Sequence, residues 1–370
     1  MPLKLTYILS NINKALAFEW IATHINKQDV ELSFVLLNPT TSALEDYLLT
    51  HNFNVKRITY TGKSSMPLAL VRTIIFLIKN KITIVHCHLF DASIIGLIAA
   101  KLCGIKKRIY TRHHSTYHHT YFPSVVKYDK LCNYLATDIV AITSVVRNVL
   151  VEQEQVSTSK IKIIHHGFDL ALFTNVNNHT INLLKTKYNP AHQSPVIGVI
   201  ARYTEWKGIQ YILPAFKQLL ATYPNAKLLL ANANGDYKTQ LQQLVQQLPP
   251  HNVIEIPFEN DINALYKLFD VYVHTPINGH SEAFGQTYVE ALAAGTPAVF
   301  TLSGIANDFV VDKKNALVVP YQNSTAIYNA ITTLLTNPTL VSNLTTQGKQ
   351  DVAKQFNLPN YIAQLTQLYI

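Results

Sequence analysis

A chain of 370 residues exceeds what one hydrophobic core usually organises, so two domains of ordinary size are expected. Hydrophobic residues make up 48% and charged residues 14%, which excludes a disordered or fibrous chain, and only 12 glycines exclude a protein built from many glycine-rich loops. The formal charge of +9 favours acidic partners such as phosphates, nucleic acid or an anionic membrane face.

Taken in chain order, short β-branched runs alternate with helical patterns. Strands are expected at residues 3–9, 30–37, 82–86, 108–111, 139–142 and 162–164, with helices at 14–26, 66–80, 93–103 and 144–153 between them. The segment from His165 to Asp169 leads into an Asn-rich stretch that reads as an interdomain linker over 173–194. Strands are expected again at 196–201, 227–231, 253–256, 270–274, 298–301 and 317–319, with the clearest helices at 209–223 and 284–294. Alternating strands and helices predict parallel, doubly wound sheets in both halves. The domains are 1–172 and 195–355, followed by a helix at 356–370 that packs back towards the first.

Cys87, Cys103 and Cys132 are odd in number and form no C-x-x-C pair, so neither a disulfide framework nor a structural zinc site is indicated. A reducing cytoplasm fits. Neither G-x-G-x-x-G nor a P-loop occurs, and the apolar runs 68–78 and 94–105 carry Arg72 and Lys101 and fall short of a membrane span.

The chemistry concentrates in His280 to Pro297. The helix from about Phe284 starts at the carboxyl edge of a parallel sheet, where free N–H groups over Phe284, Gly285, Gln286 and Thr287 and the helix dipole suit a phosphate. Glu290 follows Gln286 by one turn, about 6 Å along the axis, and suits ribose hydroxyls. Glu282 lies just ahead of the helix. A second loop, Arg202 to Gly208, follows strand 196–201 and offers the Arg202 guanidinium and the Lys207 ammonium to a diphosphate.

With these motifs the chain resembles a retaining glycosyltransferase of the GT-B fold, in the glycosyltransferase family 4 (glycosyl transferases group 1) class. The E-x7-E motif of that family matches Glu282 and Glu290, and its Arg-x4-Lys-Gly element matches Arg202, Lys207 and Gly208. The resemblance implies two facing Rossmann-like domains with a deep cleft, a UDP- or GDP-sugar donor on the C-terminal domain, and a hydroxyl acceptor on the N-terminal domain. It implies Glu282, Arg202 and Lys207 as catalytic groups, and Glu290 with Phe284, Gly285, Gln286, Thr287 and Phe258 as donor-binding groups. A cleft histidine after strand 108–111 is also implied, with His113 the catalytic candidate and His114 its competitor and a donor contact.

The first loop carries Asn11, Asn13 and Lys14 as donor or acceptor contacts, without the glycines common in relatives. No strict D-x-D occurs, and the histidine segment holds no acidic or Cys ligand, so no metal and no cofactor is expected. A catalytically silent nucleotide-sugar-binding subunit is the alternative. Nucleic acid is not an expected partner, since no RNP, zinc or helix-turn-helix signature supports it.

Residues 1–180 carry a balance of +8 and residues 181–370 a balance of +1. The densest basic group is Lys101, Lys106, Lys107, Arg108 and Arg112, beside the apolar helices 66–80 and 93–103. Two readings stand: an anionic inner-membrane face with a glycan or lipid-linked acceptor, or core helices with solvated lysines.

Overall fold

The structure is a computed structural model that describes residues 2–370. It divides into two compact units. One runs to Phe168 and takes back Leu358–Ile370; the other is Asp169–Asn357.

The first unit is built on seven parallel strands: β1 (Leu3–Ser10), β2 (Val30–Asn38), β3 (Asn54–Thr59), β4 (Ile84–His88), β5 (Lys107–Arg112), β6 (Asp138–Ala141) and β7 (Ile161–Ile163), in the order β3-β2-β1-β4-β5-β6-β7. The central strands are apolar on both faces because helices cover both. Leu5, Tyr7, Ile8 and Leu9 of β1 have no exposed surface. Strand β3 has no counterpart among the expected strands. It is an edge strand with Asn54, Lys56 and Thr59 exposed, so its apolar content is low.

The helix Leu358–Tyr369 belongs to this unit. Leu358, Tyr361, Ile362, Leu365, Leu368 and Tyr369 join Leu5, Tyr7 and Leu9 in one core cluster, and the Tyr369 hydroxyl bonds both the Tyr7 hydroxyl and, at 2.9 Å, His86 Nδ1.

The second unit has six parallel strands: β8 (Val196–Ile200), β9 (Lys227–Ala231), β10 (Val253–Ile256), β11 (Val271–His274), β12 (Ala298–Phe300) and β13 (Leu317–Val318), in the order β10-β9-β8-β11-β12-β13. Strand order reverses between β1 and β4 in one sheet and between β8 and β11 in the other, and open sheets bind ligands beyond the carboxyl ends at such points.

The expected linker over 173–194 is not a linker. It forms the helices Ala171–Thr174 and Asn178–Tyr188 of the second unit, which buries Phe173, Leu184 and Tyr188. Its asparagines look loop-like in sequence, yet Asn177 caps the longer helix by accepting from the His179 N–H at 2.8 Å. Lys187, at 3.0 Å, and the Tyr188 hydroxyl then clamp Glu259, bracing the loop after β10. Among the described residues, no helix is long and apolar enough to cross a membrane.

Candidate active site

In the second unit the site grows from three strand ends. Beyond β8 the chain exposes Arg202, makes the 3-10 turn Glu205–Lys207 and reaches Gly208 at φ +73°. A β-carbon on Gly208 would stand 1.9 Å from the Thr275 carbonyl oxygen, so only glycine lets this turn lie against the chain leaving β11. That approach delivers Lys207 Nζ to 2.5 Å from Glu282 Oε1, while His274, the last residue of β11, places Nε2 3.2 Å from the same oxygen. From beyond β12, Ser303 Oγ accepts the Glu282 N–H at 3.0 Å. Burial alone would raise the Glu282 carboxyl, but the Lys207 charge and then His274 reverse this and hold it well below the usual carboxylate range. Glu282 is an enclosed carboxylate that stays ionised.

The adjoining helix is Gln286–Ala294, starting two residues later than its sequence suggests because Gly285 stands at φ +84° and forms the cap. Phe284 turns its ring inward against Phe356, with centroids 6.2 Å apart, and its carbonyl accepts the Ile305 N–H at 2.8 Å. Gln286 is exposed at the helix start and Thr287 is half-buried. One turn on, Glu290 Oε2 accepts the Tyr266 hydroxyl at 2.9 Å. Burial pushes Glu290 up to about 7, against the opposing hydrogen bond from Tyr266. The two glutamates of the E-x7-E spacing therefore hold opposite electrostatic positions. Phe258 stands apart, 70% exposed in the loop after β10, which lies two strands from β8.

In the first unit, His113 and His114 leave β5 and part at once. His113 Nε2 lies 3.1 Å from His88 Nδ1 at the end of β4, and its ring stacks on His166 at 5.7 Å. Burial, then His166, His114 and His86, holds His113 neutral well below its ordinary titration range. His114 turns the other way: its ring centroid is 3.9 Å from that of His118 and its Nε2 is 3.3 Å from Asp129 Oδ1. Burial brings it down to about 4 despite the bond to Asp129. Of the first loop, Asn11 Nδ2 donates to Asp91 at 3.3 Å, Asn13 Oδ1 accepts the Ala43 N–H at 3.2 Å, and Lys14 is exposed.

Several groups escape a reading by spacing. Asp129, on the helix Val126–Leu135, brings an acidic group to His114 and His118 within metal-ligand distance of one another, although none lies in the histidine segment itself. Its Oδ1 is also 3.2 Å from the Arg112 guanidinium, a cation already in place. Arg112 is 1% exposed and pairs with Glu154 at 2.5 Å, so it is a core ion rather than part of a basic surface. Arg108 likewise donates to the carbonyls of Leu135 and Ile105. Of the basic group centred on residues 101–112, the fold thus takes Arg112 into the core and ties Arg108 to backbone carbonyls, while Lys101 and Lys106 remain exposed. For His274 one sequence signal exists: it closes the strand that precedes the E-x7-E loop.

The family model "Glycosyl transferases group 1" matches residues 181–351, and "Glycosyltransferase Family 4" matches residues 21–172. The chain belongs to the group 1, GT4-like glycosyltransferases and is a transferase enzyme. It is 26% identical over 310 residues to the capsular polysaccharide biosynthesis glycosyltransferase CapM of Staphylococcus aureus, covering 81% of this chain and 80% of that one. It is 23% identical over 261 residues to the alpha-monoglucosyldiacylglycerol synthase of Acholeplasma laidlawii, covering 65% and 63%. HepE of Anabaena, solved in complex with UDP-glucose, superposes with a TM-score of 0.83 at 19% identity and 98% coverage of both chains, and the fold is GT-B.

Proposed function

We propose that the protein transfers a sugar from a UDP- or GDP-linked donor to a hydroxyl of a glycan or lipid-linked saccharide, with retention at the anomeric carbon and without a metal, in the making of cell-surface polysaccharide or glycolipid. The observation that carries this is the Lys207–Glu282–His274 cluster beside the Gln286 helix start, with Glu290 one turn on. Such a site offers cations and helix N–H groups to a diphosphate and a carboxylate to a diol. The names of CapM and of the diacylglycerol synthase support a cell-envelope product, and the UDP-glucose complex of HepE supports a nucleotide-sugar donor.

In the proposed reaction, the bond from the anomeric carbon to the diphosphate oxygen breaks, and its electron pair leaves with the diphosphate. Arg202, Lys207 and the helix N-terminus stabilise that charge. The acceptor oxygen bonds the same face of the sugar, and its proton passes to the departing phosphate oxygen. No enzymic nucleophile takes part. Glu282, already ionised, accepts sugar hydroxyls and orients Lys207; Glu290 accepts the ribose. Gln286 and Thr287 border the diphosphate. Of the first unit, His113 is the catalytic candidate and His114 a donor contact, with Asn11, Asn13 and Lys14 as acceptor or first-loop contacts. Both acidic site residues are engaged by Lys207, His274 and Tyr266 rather than left free for a cation, which supports metal independence.

The test incubates the purified protein with UDP-glucose, UDP-N-acetylglucosamine and GDP-mannose, with and without EDTA, and follows nucleoside diphosphate release, thermal shift and the anomeric configuration of any product. One donor is expected to stabilise the fold and to be turned over in EDTA. A folded protein that no donor stabilises and that releases no diphosphate would contradict the proposal.

A further inference from the structure

The helix Met66–Lys79 is apolar nearly all round, and the fold covers only part of it. Ala69, Thr73, Phe76 and Leu77 are buried. Leu68, Val71, Ile75 and Ile78 remain 52%, 52%, 57% and 63% exposed. Their spacing places them on one side of the helix, in a stripe about 15 Å long. Leu102, 67% exposed at the end of the adjoining helix Phe90–Leu102, adds to the same kind of surface.

Beside the stripe, the edge strand β3 and the helix enclose a hollow of about 590 Å³. Lys56 and Arg57 line it from β3, Arg72 and Lys79 from the helix, and Ile75 belongs to both hollow and stripe. Among the described residues no carboxylate lines it. Arg57 Nε is turned to Glu45 at 3.0 Å, while Lys56, Arg72 and Lys79 are exposed. This is not the basic group of residues 101–112. It involves an edge strand absent from the sequence expectation.

We infer that the helix Met66–Lys79 and the hollow it shares with β3 form a docking surface for an anionic bilayer, with Leu68, Val71, Ile75 and Ile78 among the acyl chains and a lipid phosphate at Lys56, Arg72 and Lys79. The chemistry of the two halves selects this occupant. An aliphatic stripe without hydrogen-bonding groups suits hydrocarbon, and a cation-lined hollow alongside suits a phosphate at headgroup depth. A nucleic acid would use the cations and leave the stripe bare. The surface deepens the acceptor half of the proposed function, and its test reads membrane partition instead of turnover.

The full chain is sedimented with vesicles of phosphatidylcholine alone and with vesicles of phosphatidylcholine and phosphatidylglycerol in equal parts. The wild type is expected to partition onto the anionic vesicles only. Arg72→Gln with Lys79→Gln lowers that partition about thirtyfold, at about 1 kcal/mol per charge. Ile75→Ser with Ile78→Ser lowers it about tenfold or more. All four side chains are exposed, and an unchanged thermal midpoint and donor-induced shift show that the variants remain folded. Partition that is absent, equal on both vesicles, or unmoved by either pair overturns the inference. So does a wild-type dimer that binds no vesicle and that Ile75→Ser with Ile78→Ser dissociates, since the stripe is then a self-association face. Loss of donor binding with vesicle partition intact would count against the proposed donor reaction alone.

Discussion

Lys207 Nζ and Glu282 Oε1, 75 residues apart in sequence, stand 2.5 Å apart because Gly208 lets the turn after β8 touch the chain leaving β11. Replacing Lys207 by Met leaves an enclosed carboxylate with only His274 against it. The expected cost is about 2 kcal/mol of stability, discounted because the ammonium still reaches water. A loss of about a hundredfold or more in kcat/KM is expected beside it. Glu282→Gln should restore much of the stability to the Lys207→Met variant but not its rate, as urea unfolding and donor turnover would show.

Gly208→Ala is the sharper probe of that geometry. The added carbon meets a backbone oxygen that cannot swing away, at a φ that L-residues rarely adopt. A destabilisation of about 2 kcal/mol or more is expected, together with loss of donor-induced thermal shift. Normal donor binding in this variant would show that Lys207 reaches its place by another route.

Glu290 predicts a pH dependence of donor binding. Its folded pKa is raised from 4.5 to about 7, so the fold holds a proton that the unfolded chain releases. The associated stability is present below 4.5 and is lost as pH rises through about 7. A ribose diol favours the ionised acceptor, so donor affinity should strengthen across the same rise, with proton release on binding. Glu290→Gln is expected to weaken binding about tenfold and flatten its pH profile, measured by calorimetry in two buffers of different ionisation heat. A wild-type profile already flat across neutrality would exclude this role.

The buried histidines of the first unit predict the opposite slope. Burial lowers His86 from 6.5 to about 3, and burial with His165 lowers His166 from 6.5 to about 4. Their contribution is complete above 6.5 and drains as pH falls towards those values. Each adds about 1.4 kcal/mol of lost stability per pH unit inside its window. Urea midpoints should fall steeply between neutrality and pH about 5, and less so in His86→Gln. An unchanged midpoint over that range would mean that the cluster opens to water without unfolding.

Much of the architecture is legible in the sequence because buried parallel strands are compact apolar runs. All six strands of the second sheet and all but β3 of the first show that pattern, while β3, an edge strand with Asn54, Lys56 and Thr59 exposed, does not. Lys207, Glu282 and Glu290 stand out because short loops after strand ends fix their spacing. Asp129, Glu154 and His88 do not, because only the order of strands and helices brings them to Arg112 and His113. The stretch 173–194 misleads for a local reason: capping asparagines and disordered asparagines look alike until Leu184 and Tyr188 find a core.

The Tyr7 and Tyr369 hydroxyls meet across 362 positions of chain, and the helix Leu358–Tyr369 closes the core over β1. During synthesis, β1 therefore waits for the helix Leu358–Tyr369, with Leu5, Tyr7 and Leu9 uncovered. Asp169–Asn357, which carries its own core, is complete before that helix emerges. The unit begun earlier along the chain is thus the one whose core closes later, and its apolar surface is open to aggregation in the interval.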